Sequence, residues 1–286
     1  MQDTDGRLLT LARRVAGVYT ASEKARAIAV LGSVSRRQSD AVSDIDLGVY
    51  YETMPTEEEI AAGRDALGGA TWLRIFTSAD ALADSFTVDG VECQVIHCTV
   101  ARFGADLSAV LDDYDTEHEK HAVVGGILDA LPLFGADVIA GWQARAATYP
   151  DALAQAVVRD HLRFWPYQVL EQRIVPRDAP LFLHKVLLDD VKNLLAVLSG
   201  LNRLYPQLEF KRLDAYVARM RIAPPNVATR IKQALSAEPL TAIAMLRALI
   251  EETLALVERH MPEIDTTEAR RRFTQPPRGL AQSNEQ

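Results

Sequence analysis

The stretch Leu31-Gly-Ser-Val-Ser-Arg-Arg-Gln-Ser-Asp-Ala-Val-Ser-Asp-Ile-Asp-Leu47 lies between two apolar runs, Ala27–Leu31 and Leu47–Tyr51. The first run is continuously apolar and stops at Gly32; residues 44–51 alternate polar and apolar before Pro55. Both read as strands of one sheet joined by a polar connection. On a strand, Asp44 and Asp46 leave the same face, with Cα atoms roughly 6.6 to 7 Å apart. Two carboxylates so placed can grip magnesium jointly, and a pair of magnesium ions in a phosphoryl-transfer site sits about 3.5 to 4 Å apart. Without a cation, two neighbouring anions are costly. A glycine at a strand end lets backbone approach a ligand, so Gly32 with the Ser33 hydroxyl can hold phosphate. Arg36 and Arg37 can neutralise a departing pyrophosphate.

Outward from this stretch, residues 6–17 carry helical spacing and form an opening amphipathic helix. Thr56 followed by Glu57, Glu58 and Glu59 starts a second helix that ends at Gly68-Gly69. Residues 71–76 and 91–98 read as further strands, the latter launched by Asp89-Gly90. From 101 to 261 the period is helical, punctuated by Pro132, Pro150, Pro176, Pro206, Pro224-Pro225 and Pro239. That gives about six or seven helices. The expected fold is α+β: a mixed sheet with flanking helices over 1–115, a helical bundle over 116–265, and a disordered polar tail over 266–286.

Composition sets the limits. The chain has 286 residues, 48% hydrophobic and 24% charged, which suits two globular domains. No run is long and apolar enough to span a membrane and the N-terminus is acidic, so a soluble, cytoplasmic protein is expected. The two cysteines, Cys93 and Cys98, point to opposite faces of one strand, which excludes a mutual disulfide. A net charge of −8 disfavours a nucleic-acid partner and favours small acceptors. The long apolar helices would allow a homodimer.

Gly-Ser, a spacer and then acidic-x-acidic resembles the hallmark of the nucleotidyltransferase superfamily that includes DNA polymerase beta. The stretch looks most like the bacterial antibiotic (aminoglycoside and lincosamide) nucleotidyltransferases and the minimal nucleotidyltransferases of toxin-antitoxin pairs. The motif covers Leu31 to about Val49; the looser pattern of catalytic module plus helical bundle spans nearly the whole chain. The resemblance implies magnesium, two ions, with ATP or another NTP as co-substrate and transfer of AMP to a hydroxyl of a small acceptor. It also implies a third carboxylate on a later strand, Asp89-Gly-Val-Glu-Cys-Gln-Val-Ile96, where the acidic slot falls at Gln94. A glutamine can ligate magnesium through its amide oxygen but cannot take a proton. Glu92, two residues earlier and on the same face, is the expected substitute as base and metal ligand. In 201–213, Lys211 matches a lysine that faces the triphosphate in related enzymes.

Other polar clusters have cheaper readings. Lys185, Asp189 and Lys192 read as an ion-paired helix surface. His161, Trp165 and Tyr167 could stack on a base but read first as core. His118 and His121 lack further ligands, so zinc is not expected. Two rival functions are nucleotidyl transfer to a protein or tRNA, and a nucleotide-binding protein that Gln94 has deprived of turnover.

Overall fold

A computed structural model describes residues 4–206 and 212–275. The chain opens with α1 (Thr4–Tyr19), β1 (Ala25–Leu31), a four-residue turn of helix α2 (Gly32–Ser35), β2 (Ile45–Tyr51) and α3 (Glu57–Ala66). There follow β3 (Ala70–Thr77), β4 (Ala81–Val88), β5 (Val91–Thr99), α4 (Val100–Leu111), α5 (His118–Leu128), β6 (Leu131–Phe134) and α6 (Ala136–Ala147). The remainder is helical: α7 (Asp151–His161), α8 (Tyr167–Val169) continued by a π and a 3-10 turn, α9 (Pro180–Leu201), α10 (Leu213–Val217), α11 (Val227–Leu235), α12 (Pro239–His260) and α13 (Thr267–Phe273). The architecture is α+β, a six-stranded mixed sheet with helices and a helical C-terminal region.

Strand order is β3-β4-β5-β2-β1-β6, with β2 and β5 parallel and every other pair antiparallel. Period-2 alternation divides the central strands between two faces. Ile45, Leu47, Val49 and Tyr51 of β2, with Cys93 and Val95 of β5, bury themselves against Leu8, Ala12, Val15 and Tyr19 of α1. On the opposite face Tyr50 meets Trp142 of α6 and Phe103 of α4 at ring separations of 4.8 and 5.3 Å. Asp46 lies on that face, nearer the start of β2. The helix α3 begins as expected, with Thr56 and Glu59 bonding reciprocally across its first turn.

Two compact units divide the chain: residues 1–113 with 119–148, and 114–118 with 149–286. The expected boundary at 115 is therefore too early. Residues 131–134, read as a proline break between helices, form β6 and pair with β1 through Ile28–Phe134 and Val30–Leu131, which ties 119–148 to the sheet. In the helical unit, α7 and α9 cross closely at Gly200, where an added Cβ would come within 2.7 Å of Val158. Leu194, Leu198 and Ile250 are fully buried around this crossing. The expected tail also begins too early, because α13 occupies 267–273 and buries Ala269 and Phe273 in the helical core. Its arginines made it look tail-like, but Arg270 bonds Glu258 at 2.6 Å, and Arg271 and Arg272 bond Glu268 at 2.7 and 2.6 Å. Residues 276–286 lie outside the described residues. Among those described, no helix is long and apolar enough to cross a membrane.

Candidate active site

At the end of β1 the chain must leave the sheet sharply. Gly32 does so with φ +66°, a backbone region that an L side chain resists. A second reason for glycine is spatial: a Cβ at Gly32 would lie 2.0 Å from Asp46 Oδ2, so the carboxylate occupies the volume a side chain would need. The turn that follows is held by Ser35 Oγ donating to the Gly32 carbonyl at 3.1 Å and by Gln38 N–H donating to the Ser33 carbonyl at 3.0 Å. Beyond it the loop is pinned to α1, with Ser39 N–H donating to Asp5 at 3.1 Å. Asp40 closes the last bend by accepting from Val42 N–H at 3.1 Å and Ser43 Oγ at 3.0 Å. These short-range bonds set Asp44 at the mouth of β2.

Asp46 stands opposite Leu31 on β1 and opposite Gln94 on β5. Gln94 Nε2 donates to Asp44 Oδ2 at 3.2 Å and to Glu92 Oε1 at 3.4 Å. Asp44, Asp46 and Gln94 thus share the sheet face away from α1, and both aspartates stay partly exposed. Ser33 is partly buried, and its hydroxyl is buried with no hydrogen-bond partner. Buried hydroxyls are usually bonded, so the Ser33 hydroxyl, on the turn that follows Gly32, is available to donate to a ligand. The donor set of two aspartates and a serine hydroxyl suits a magnesium-bound phosphate.

The expected third acid fits less well. Among the described residues no group of three or more His, Cys, Asp or Glu is placed to hold a metal ion. Glu92 is exposed and accepts from Ser85 Oγ at 2.7 Å, which turns it toward β4. The position level with Asp46 belongs to Gln94, whose amide bridges the Asp44 and Glu92 carboxylates, a job a cation does between three acids. Ser85 escaped the sequence reading because β4 did; Asp84 and Ser85 in its middle break the apolar pattern of a buried strand. Arg36 and Arg37 are exposed at the turn, with Arg36 Nη1 3.9 Å from Asp129. Lys211 lies outside the described residues.

A second polar cluster occupies the helical unit. A cleft of about 530 Å³ is lined by His118, His161, Trp165, Asp190, Lys192 and others. His118 pairs with His161, at 2.8 Å between Nε2 atoms. His161 Nδ1 lies 2.9 Å from the Val157 carbonyl, which can only accept, so that nitrogen carries the hydrogen. Burial, aided by His161 and Lys192, holds His118 below the ordinary histidine range. Asp190 is buried at the cleft floor with Trp165 N–H 3.3 Å away, and desolvation pushes its carboxyl up to about 7. Lys185 and Asp189 form the expected surface pair at 2.5 Å, and Tyr167 is core, whereas Trp165 remains 39% exposed. The two cysteines are buried and free.

No family model matches this chain, and no curated protein does. Among solved structures it is similar to a nucleotidyltransferase-like protein from Exiguobacterium sibiricum 255-15. The two share 13% identity with a TM-score of 0.33, over 90% of this chain and 81% of that one.

Proposed function

We propose that this chain is a nucleotidyltransferase that moves a nucleoside monophosphate, AMP from ATP, onto a hydroxyl of a small acceptor, with an antibiotic as one candidate class. The observation that carries the reading is the Asp46 carboxylate seated over the side-chain-free Gly32, whose neighbour in sequence, Ser33, has a hydroxyl with no partner. Magnesium held by Asp44 and Asp46 would neutralise charge on the triphosphate. Ser33 would donate its hydroxyl hydrogen to a phosphate oxygen, and Arg36 and Arg37 would face the departing pyrophosphate. The acceptor oxygen forms a bond to the α-phosphorus as the bond to pyrophosphate breaks, and the acceptor proton passes to Glu92 or to water. Gln94 would orient Asp44 and take no proton. A soluble, cytoplasmic setting goes with this reading.

The test is the thermal midpoint with ATP and magnesium together. A rise of several degrees in the wild type, absent in Asp44→Asn with Asp46→Asn, supports the site; no rise in the wild type defeats it. Labelled ATP with a cell lysate then separates small-molecule acceptors from protein or tRNA.

One observation favours a second reading. Gln94 occupies the position level with Asp46 and bonds both neighbouring carboxylates, so the site can bind nucleotide while lacking a well-placed base. Binding without pyrophosphate release in any acceptor screen would select this version.

A further inference from the structure

Nucleotidyl transfer as derived above uses no residue of the cleft lined by α7 and α9, and all the residues that line it belong to the helical unit. At about 530 Å³ the cleft has the size of a small-molecule site. Its floor is Asp190, only 1% exposed. Both carboxylate oxygens share one backbone donor, the Trp165 N–H, at 3.3 and 3.4 Å, long distances for a charged acceptor. The Tyr167 hydroxyl beside it also eases ionisation, and the Asp189 carboxylate opposes it. The neighbouring cations are engaged elsewhere: Arg163 with Asp160, Lys185 with Asp189 and Arg247 with Glu171, while the charge of Lys192 bears on His118. A buried acid is thus kept without a cation, at a cost in stability, in the wall of an open cleft.

We propose that this cleft binds an organic cation, a protonated amine on a small apolar frame, whose nitrogen donates to Asp190 while the frame lies against Trp165. An ionised carboxylate has about four acceptor positions, so Asp190 keeps capacity that one N–H and one hydroxyl leave unused. Trp165 supplies the other half of the site. Its ring is 39% exposed and lines the cleft, held by Phe182 edge-on at a centroid distance of 5.4 Å and an interplanar angle of 90°. An indole face attracts an ammonium group and packs against the carbons that carry it.

Other ligands fit less well. An anion would meet the Asp189 and Asp190 carboxylates. A bare metal ion needs several donors at once, and among the described residues no group of three or more His, Cys, Asp or Glu is placed to hold one. A neutral ring could rest on Trp165 but would leave Asp190 as uncompensated as before. An amine repairs that defect, because a positive charge beside a carboxyl favours its ionised form. The proton balance follows: burial holds the Asp190 carboxyl protonated up to about 7, so near neutral pH it releases its proton to solvent as the ammonium group enters. This inference is independent of the nucleotide site.

Calorimetric titration of the full chain with phenethylamine and with isopentylamine, and with 2-phenylethanol as the neutral counterpart, tests it. The expected result at pH 8 is saturable binding of the amines with dissociation constants below about 1 mM, and none of the alcohol. At pH 6, where only about a tenth of Asp190 is ionised, the amines should bind about tenfold more weakly. Asp190→Asn keeps an acceptor for the Trp165 N–H; it should weaken binding at pH 8 by about tenfold or more and flatten the pH dependence. Trp165→Ala should weaken binding severalfold and leave the pH dependence in place. No saturable binding by either amine, equal binding by the alcohol, or an affinity indifferent to Asp190→Asn overturns the proposal.

Discussion

Gly32 leaves empty the space that Asp46 Oδ2 fills, so a methyl group there must displace the carboxylate or the turn. Its positive φ adds about 1 kcal/mol of backbone strain to that clash. Gly32→Ala should therefore abolish the midpoint shift produced by ATP with magnesium, while lowering the unliganded stability by only about 1 to 3 kcal/mol; calorimetry with and without nucleotide checks both. Gln94→Glu makes the opposite change. It adds a proton acceptor level with Asp46, and pyrophosphate release measured by a coupled assay should rise at least tenfold, within the range of general base catalysis. Without magnesium the added carboxylate should lower the midpoint, since it joins Asp44 and Glu92.

Asp190 supplies a pH dependence. Its carboxyl is pushed from an ordinary 3.8 up to about 7, chiefly by burial, so the folded state holds the proton more tightly than the unfolded chain. Stability from this group is complete below pH 3.8 and is lost as pH rises through 7, by about 4 kcal/mol at pH 8. Asn cannot ionise and can still accept from the Trp165 N–H. Asp190→Asn should raise urea-unfolding stability at pH 8 and leave it level or lower at pH 4; an equal effect at both values would refute the assignment.

At the scale of elements, β6 is the piece that binds residues 119–148 to the sheet, and Gly135 makes its exit possible. Gly135 has φ +60°, and a Cβ there would lie 1.9 Å from the Arg26 carbonyl oxygen, which is backbone and cannot step aside. Gly135→Ala should cost about 2 to 4 kcal/mol in chemical denaturation, combining strain with overpacking. The same element shows what the sequence conceals. β1, β2 and β5 announce themselves by apolar runs and a turn signal, and their observed bounds differ from the expected ones by one or two residues. β6 is four residues carrying a proline, tolerated because it sits at the sheet's margin. β4 is buried along nearly its whole length yet contains Asp84, and nothing local reveals that Arg74, ten residues earlier, neutralises it. In the candidate site, Gly32, Ser33, Asp44 and Asp46 were legible because one connection carries them all. Glu92's turn toward Ser85 was not, because it depends on a strand pairing that spacing does not encode.

For the whole molecule, charge and chain path carry the remaining expectations. The net charge of −8 gives a field that repels a phosphate backbone, and many arginines are already spent on internal partners, as in Arg230–Glu252, Arg247–Glu171 and Arg270–Glu258. Fluorescence anisotropy with a tRNA-sized RNA at about 50 mM salt should show no micromolar binding, even though low salt favours such contacts. Saturable binding under those conditions would revive a nucleic-acid acceptor.

The last described helix has a practical corollary. Phe273 lies edge-on to Tyr167 and Phe164, with ring centroids 5.1 and 6.4 Å away, so α13 acts as a stopper in the helical unit. Trimming the chain at Asp265, where composition invites the cut, would uncork that unit and leave greasy rings facing solvent. Expression of such a shortened version would yield clumped material from a protein whose sheet unit was never touched.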